Sequence, residues 1–261
     1  MIYMYIIICN DEDIYEIWSD DALPPNHILL KINWTNITNK WMDTGRNSEY
    51  IQPLVEMLKS LDKSKVYIII SQHDDLFPIE LINYLPPKTI IFNAGGNVRN
   101  KNIVSIPLIY DSKYEYKLDP PSEKSWNDML LASFVGSDTN PIRTQLDMYL
   151  FNNPQFSIKL KQWTPSIDPI ACADYMDSII SSRFVLAPAG YGPTSYRFYE
   201  AYYHNRIPVY VYDEQKGPFL PYSDIIDWRK CCIIIPSSVI QKLPNMLKAI
   251  TYDKYIEMLS Y

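Results

Sequence analysis

Apolar residues in this chain fall into short β-rich runs separated by stretches with helical spacing. In the first part, the runs predict strands at Ile2–Cys9, His27–Ile32, Lys65–Ser71, Thr89–Asn93 and Ile103–Ile106. Between them, Glu49–Leu61 places Ile51, Leu54, Val55 and Leu58 on one helical face, and a short helix is expected at Pro78–Tyr84. The pattern breaks near Tyr110: residues 110–126 are polar, carry Pro120–Pro121, have no apolar period and read as a linker. A second series follows, with strands at Leu130–Val135, Phe156–Lys161, Phe184–Ala187, Ile207–Tyr212 and Cys231–Ile235. Its helices are expected at Pro141–Phe151, Pro169–Ser181, Pro193–His204, Val239–Ile250 and Tyr252–Ser260. Strand and helix in alternation predict parallel sheets covered on both faces. The expected architecture is α/β, with two doubly wound Rossmann-like domains, residues 1–115 and 116–251, facing across a cleft.

Composition narrows the partners. The chain has 261 residues, 47% of them apolar, enough for one large core or two modest ones. Its 22 tyrosines present apolar rings with polar tips, which suits sugars, although most rings of this kind simply pack in cores. A net charge of −6 argues against nucleic acid as a partner, because a phosphate-backbone binder needs a basic face. No apolar run is long enough to span a bilayer, and the opening "MIYMYIIICNDED" lacks a positive leader, so no membrane insertion and a cytoplasmic protein are expected. Cys9, Cys172, Cys231 and Cys232 have no zinc-ligand spacing and read as free thiols, and three histidines are too few for a histidine-rich metal site.

Three stretches at expected strand ends carry candidate chemistry, because ligands of open α/β sheets bind beyond the carboxyl ends of strands. In "FVGSDTNPIRTQL", Gly136 follows a buried strand, Asn140 is placed to cap the next helix and Pro141 to begin it. Arg143 sits in that first turn, where the helix dipole disfavours a cation. An anion partner would explain it; so would a solvated surface arginine. In "LAPAGYGPTSYRFYEA", Gly190 and Gly192 permit positive φ and a close backbone approach, and Thr194 and Ser195 put hydroxyls at a helix start. Arg197 and Glu200 are either an i,i+3 surface ion pair or a diphosphate ligand and a ribose ligand. The stretch is no P-loop, since no Gly-Lys-Ser/Thr follows. Asp213 and Glu214 end "IPVYVY" and read as turn residues.

Together, "FVLAPAGYGPTSYRFYEA", "RIPVYVYDE", "PFLPYSDIIDW" and the upstream "SFVGSDTNPIRTQL" resemble the exostosin-like glycosyltransferase family. The dense match covers the second half; "SQHDD" and "IFNAGG" match more loosely. In size the chain is similar to small soluble members, including those of large algal viruses, and no anchor of the Golgi kind is expected. The resemblance implies a GT-B-like fold, a UDP-sugar donor held by the C-terminal domain, a glycan acceptor and inversion at the anomeric carbon. It implies no obligatory cofactor; a divalent metal is not expected. By motif position, Gly136, Arg143, Gly190, Tyr191, Thr194, Ser195 and Arg197 would face the donor phosphates, with Glu200 at the ribose. It also implies that the last helix, 252–261, packs back onto the first domain. A neutral donor is expected, UDP-xylose first.

Transfer of this kind requires charge stabilisation on the leaving diphosphate and one base for the acceptor hydroxyl. The base is expected at a strand end of the first domain, where "VYIIISQHDDLFP" offers Asp74, then Asp75 and His73. Helix capping before Pro78 would account for one of these acids. Asp11 and Asp13 form a rival D-x-D pair of the kind a metal-dependent phosphatase uses. A non-catalytic glycan- or nucleotide-binding module is the other alternative.

Overall fold

The computed structural model describes residues 4–8, 14–18, 23–75, 77–96, 102–109, 125–162 and 169–261. The predicted linker lies outside them except for Ser125 and Trp126, as do Cys9, Asp11 and Asp13. The chain divides into two compact units, 1–109 and 110–261.

The first unit contains a hairpin and a parallel sheet. Strand β1 (Met4–Ile8) pairs antiparallel with β2 (Ile14–Trp18), Met4 opposite Trp18 and Ile8 opposite Ile14. This corrects the expectation that the first apolar run leads the parallel sheet. "IYEIW" is a second β-rich run only a few residues downstream, and closing so short a loop favours local pairing. The parallel sheet comprises β3 (His27–Leu29), β4 (Val66–Ser71), β5 (Ile90–Asn93) and β6 (Ile103–Ser105), in that order, so its crossovers all step one way. Helices α1 (Trp34–Asp43) and α2 (Ser48–Lys59) connect β3 to β4, and the short α3 (Ile79–Ile82) leads to β5. Trp34, Trp41, Ile51, Val55 and Leu58 pack with Ile69, Ile91 and Ile103 into one core. The sequence pattern missed α1 because its buried face is Trp34, Thr35, Thr38 and Trp41, half of it threonine.

The second unit is a five-stranded parallel sheet: β7 (Leu130–Ser137), β8 (Phe156–Lys161), β9 (Ser182–Pro188), β10 (Ile207–Tyr212) and β11 (Ile233–Pro236). Its order is β11-β10-β9-β7-β8. Central β7, β9 and β10 are buried almost end to end, as parallel strands covered on both faces must be. Edge strand β8 alternates and ends in lysines, which discourages further strand addition. Helices α4 (Pro141–Leu150), α7 (Leu243–Lys248) and α8 (Tyr252–Ser260) bury Leu146, Leu247 and Tyr255 against Phe184, Val209 and Val211. On the opposite face, α5 (Pro169–Ile180) and α6 (Tyr196–Tyr203) bury Ile179, Phe198 and Ala201 against Val185, Ala187 and Tyr210. The unit is thus doubly wound.

The two buried residues of α8, Tyr255 and Met258, belong to the second unit's own core. Tyr255 donates to Arg183 O at 2.7 Å and stacks edgewise on Trp126 and Phe184. No described helix is long and apolar enough to cross a membrane. Tyr255→Ala is expected to destabilise this unit by about 3–5 kcal/mol, the range for truncating a buried aromatic, read as a shift in urea midpoint. An unchanged midpoint would show that α8 contributes nothing to this core.

Candidate active site at the reversal of strand order

The chain runs from β7 outward to β8 and then returns to the far side of β7 as β9, so the strand order reverses between β7 and β9. The loop after β7 enters α4 on one face, and the loop after β9 enters α6 on the other. Diverging loops leave a crevice at such a point. Gly136, Arg143, Gly190, Tyr191, Thr194, Ser195 and Arg197 all fall on or beside these two exits.

Asn140 caps α4, its Oδ1 accepting from Ile142 N at 3.0 Å, and its Nδ2 donates to Gly190 O at 2.9 Å. Arg143 is buried, not a solvated surface residue. Its Nη1 donates to Ser137 O at 2.8 Å and its Nε to Ala189 O at 3.0 Å, so one guanidinium braces both strand exits. Its Cζ lies 5.5 Å from the Phe134 ring centroid. The two glycines have steric rather than torsional reasons. A Cβ on Gly136 would stand 2.6 Å from Phe134 Cζ, and one on Gly190 would stand 2.7 Å from Arg143 Nη2. The left-handed φ that Gly190 and Gly192 permit is not adopted at either; among described glycines it occurs at Gly45, Gly96 and Gly217.

Helix α6 begins at Tyr196 with Ser195 as its N-cap, three residues later than the pattern predicts and beyond Thr194. Ser195 makes no side-chain capping bond. Its Oγ and Thr194 Oγ1 are both buried, and neither has a hydrogen-bond partner. Tyr191 projects at the lip, 63% exposed. Below the loop, Tyr210 Oη donates to Pro193 O at 3.0 Å and accepts from Phe219 N at 3.2 Å. Burial raises the Tyr210 pKa well above the ordinary phenol range, which keeps that donor protonated. The floor is aromatic: Phe198 meets Tyr210 and Trp228, and Trp228 Nε1 donates to Pro221 O at 2.6 Å, a bond that employs the "DW" tryptophan structurally.

Arg197 Nε donates to Val135 O at 3.2 Å, and its Cζ lies 5.2 Å from the Tyr175 ring centroid. Glu200 is buried and accepts a hydrogen bond from Tyr175 Oη. A simple surface ion pair is therefore the wrong description of Arg197 and Glu200; both turn inward, towards β7 and α5. Sequence reasoning missed Tyr175, because a tyrosine at a helical position looks like any core aromatic. Asp213 is a turn residue as expected, its Oδ1 accepting from Gln215 N at 2.9 Å, and Glu214 accepts from Ser238 Oγ.

In the first unit, "SQHDD" leaves the end of β4. Gln72 ties that end to other segments: its N donates to Thr35 Oγ1 at 3.0 Å, and its Oε1 accepts from Ile109 N at 2.9 Å. His73 is buried, and its Nδ1 accepts from Asp75 N at 3.0 Å, which places the proton of the neutral ring on Nε2. Asp74 Oδ1 is 3.9 Å from that Nδ1, its side chain 36% exposed. The capping role offered to these acids is not used: Pro78 is the N-cap of α3, without a side-chain bond. Buried Asn93, at the end of β5, donates to Asp75 O at 3.3 Å and to Gly96 O at 3.2 Å. The structure thus brings His73, Asp74 and Asp75 together with the "NAGG" turn; Asn97 of that stretch lies outside the described residues.

Residues 69–250 match the model of the Exostosin GT47 domain. A probable glycosyltransferase of Arabidopsis thaliana is 29% identical over 129 residues, 49% of this chain and 23% of that protein. Exostosin-1a of Danio rerio is 32% identical over 85 residues, 33% of this chain and 11% of that protein. The matched part of the chain thus spans a quarter or less of these relatives. The crystal structure of an alpha1,3-fucosyltransferase superposes on 93% of this chain and 83% of its own, with 15% identity and a TM-score of 0.45.

A Cβ on Gly95 would fall 1.7 Å from Asp75 O, a main-chain atom that cannot turn aside. Gly95→Ala must move the Asp74–Asp75 segment and is expected to cost about 1–3 kcal/mol, as overpacking does, measured by urea denaturation. A neutral substitution would mean that the two loops are not in contact.

Proposed function

The chain belongs to the exostosin GT47 domain family, and on that premise we propose that it is an inverting glycosyltransferase moving a sugar from a UDP-sugar to a glycan hydroxyl. One observation carries the donor assignment. Thr194 Oγ1 and Ser195 Oγ are adjacent, buried and without partners at the start of α6, at the reversal of strand order. Each buried, unsatisfied polar group costs about 1–3 kcal/mol, so folds retain few of them without a use. A diphosphate suits these hydroxyls together with the α6 N-terminus, where N–H groups and the helix dipole favour an anion.

In this reading, Arg197 and the α6 start take up negative charge as the bond between the anomeric carbon and the UDP oxygen breaks. Arg143, Gly136 and Gly190 hold the two strand exits that shape the pocket, Tyr191 forms its lip, and Glu200 accepts from the ribose hydroxyls. The acceptor oxygen attacks the anomeric carbon in line, and one base takes its proton. Asp74 is assigned that role, with His73 and Asp75 setting its loop. Charge stabilisation by arginine and main chain needs no obligatory metal. A neutral donor fits a pocket with no assigned clamp for a sugar carboxylate, and UDP-xylose is the first to test.

Titration calorimetry with UDP is expected to show binding that Arg197→Ala weakens about 10–100-fold, the effect of losing a charge-assisted bond. Thr194→Val combined with Ser195→Ala should weaken it about 10-fold. Unchanged affinity in both variants would remove the donor assignment. With a UDP-sugar panel and products read by mass spectrometry, Asp74→Asn should keep UDP affinity within about twofold and lose roughly 100-fold or more in turnover. Normal turnover would dismiss Asp74 as base, and UDP binding without transfer to any acceptor would make the protein a binding module.

A further inference from the structure

We propose that Tyr175 is a positioning residue of the donor site, setting Glu200 through its hydroxyl and Arg197 through its ring. The inference rests on the donor reading above and names a residue that reading leaves out. Tyr175 is on α5, and its ring packs beside Ile179, Val185 and Ala201, which join α5, β9 and α6. From that anchorage, its hydroxyl donates to Glu200 Oε2, and its ring lies 5.2 Å from Arg197 Cζ. One side chain from a neighbouring helix therefore touches both charged residues of a single turn of α6.

A phenol without this hydrogen bond would fill the same volume, so packing alone does not explain the arrangement. A carboxylate offers about four acceptor sites on two oxygens. With the phenol on Oε2, the carboxylate is held in one rotamer and Oε1 is left as the edge that meets a diol. The ordering cost of the glutamate is then met before the nucleotide arrives, and that is the gain from preorganisation. The ring face stabilises the guanidinium by cation–π attraction. It also keeps the Arg197 head in register with Val135 O.

The hydroxyl and the ring can be separated experimentally. Tyr175→Phe keeps the ring under Arg197 and removes the bond to Glu200; Tyr175→Leu removes both. Affinities for UDP, 2′-deoxy-UDP and uridine are measured by calorimetry on the full chain, with thermal unfolding as a check on folding. In the parent, UDP is expected to bind about 10-fold more tightly than 2′-deoxy-UDP. In Tyr175→Phe that ratio should fall to within about twofold, while the preference for UDP over uridine persists. Tyr175→Leu should lower both ratios. A purely structural tyrosine would shift the unfolding temperature and leave the deoxy ratio unchanged; that result in a parent that discriminates overturns the inference alone. A parent that binds no UDP overturns the donor reading and the inference with it.

Discussion

A single guanidinium holds the point on which the second unit turns. Where the strand order reverses, β7 and β9 send their chains to opposite faces, and Arg143 bonds a carbonyl at each exit. That arrangement dictates its neighbours. The guanidinium lies over the Phe134 ring, and the ring takes the space a side chain at 136 would need. On its other side, Nη2 stands where a side chain at 190 would begin. A side chain at either of these two glycines would therefore displace the arginine or the ring beneath it. Buried charge is costly to desolvate, and main-chain carbonyls with an aromatic face offset part of that cost.

The abundance of tyrosine has a structural explanation in the same unit. Tyr210 holds Pro193 O, Tyr202 holds Cys231 O, Tyr255 holds Arg183 O and Tyr175 holds Glu200. Each phenol buries a ring and uses its polar tip to fix a loop, a helix or a charged side chain. Burial raises the pKa of the first two far above the ordinary range and pushes Tyr255 up to about 12, so all three stay donors across physiological pH. These rings are posts within the fold, in keeping with the expectation that most of the tyrosines pack in the core. Tyr191 is of another kind, its ring exposed rather than packed.

The sequence pattern was most informative where strands are buried on both faces. β7, β9 and β10 are continuous apolar runs with turn residues after them, and their ends locate the crevice. Residue type and position also singled out Thr194, Ser195, Arg197 and Glu200 as candidates, because hydroxyls and charges beside a glycine turn are conspicuous. What remained hidden depends on contact rather than order. Glycine permits left-handed backbone everywhere, so the steric origin of Gly136 and Gly190 appears only once Phe134 and Arg143 are placed. The inward turn of Glu200 depends on a tyrosine 25 positions earlier, beyond any helical spacing. Helix α1 was lost because threonine can line a buried face without registering as apolar.

The first unit fixes its own strand exit differently, and the difference bears on the base. Gly95 packs directly on the Asp75 carbonyl, Asn93 donates to that same oxygen, and His73 Nδ1 accepts from the Asp75 amide. Main-chain contacts of this kind fix a loop more firmly than side-chain contacts, since they remove backbone freedom itself. Within "SQHDD", Ser71, Gln72, His73 and Asp75 are engaged in holding the segment. Asp74 lies between them, its side chain 36% exposed and its Oδ1 3.9 Å from His73 Nδ1. A base need only accept one proton from a well-placed hydroxyl, and its effectiveness depends on how little it wanders. In the proposed reading, the hold on this exit is what would keep the Asp74 carboxylate in place for an incoming hydroxyl.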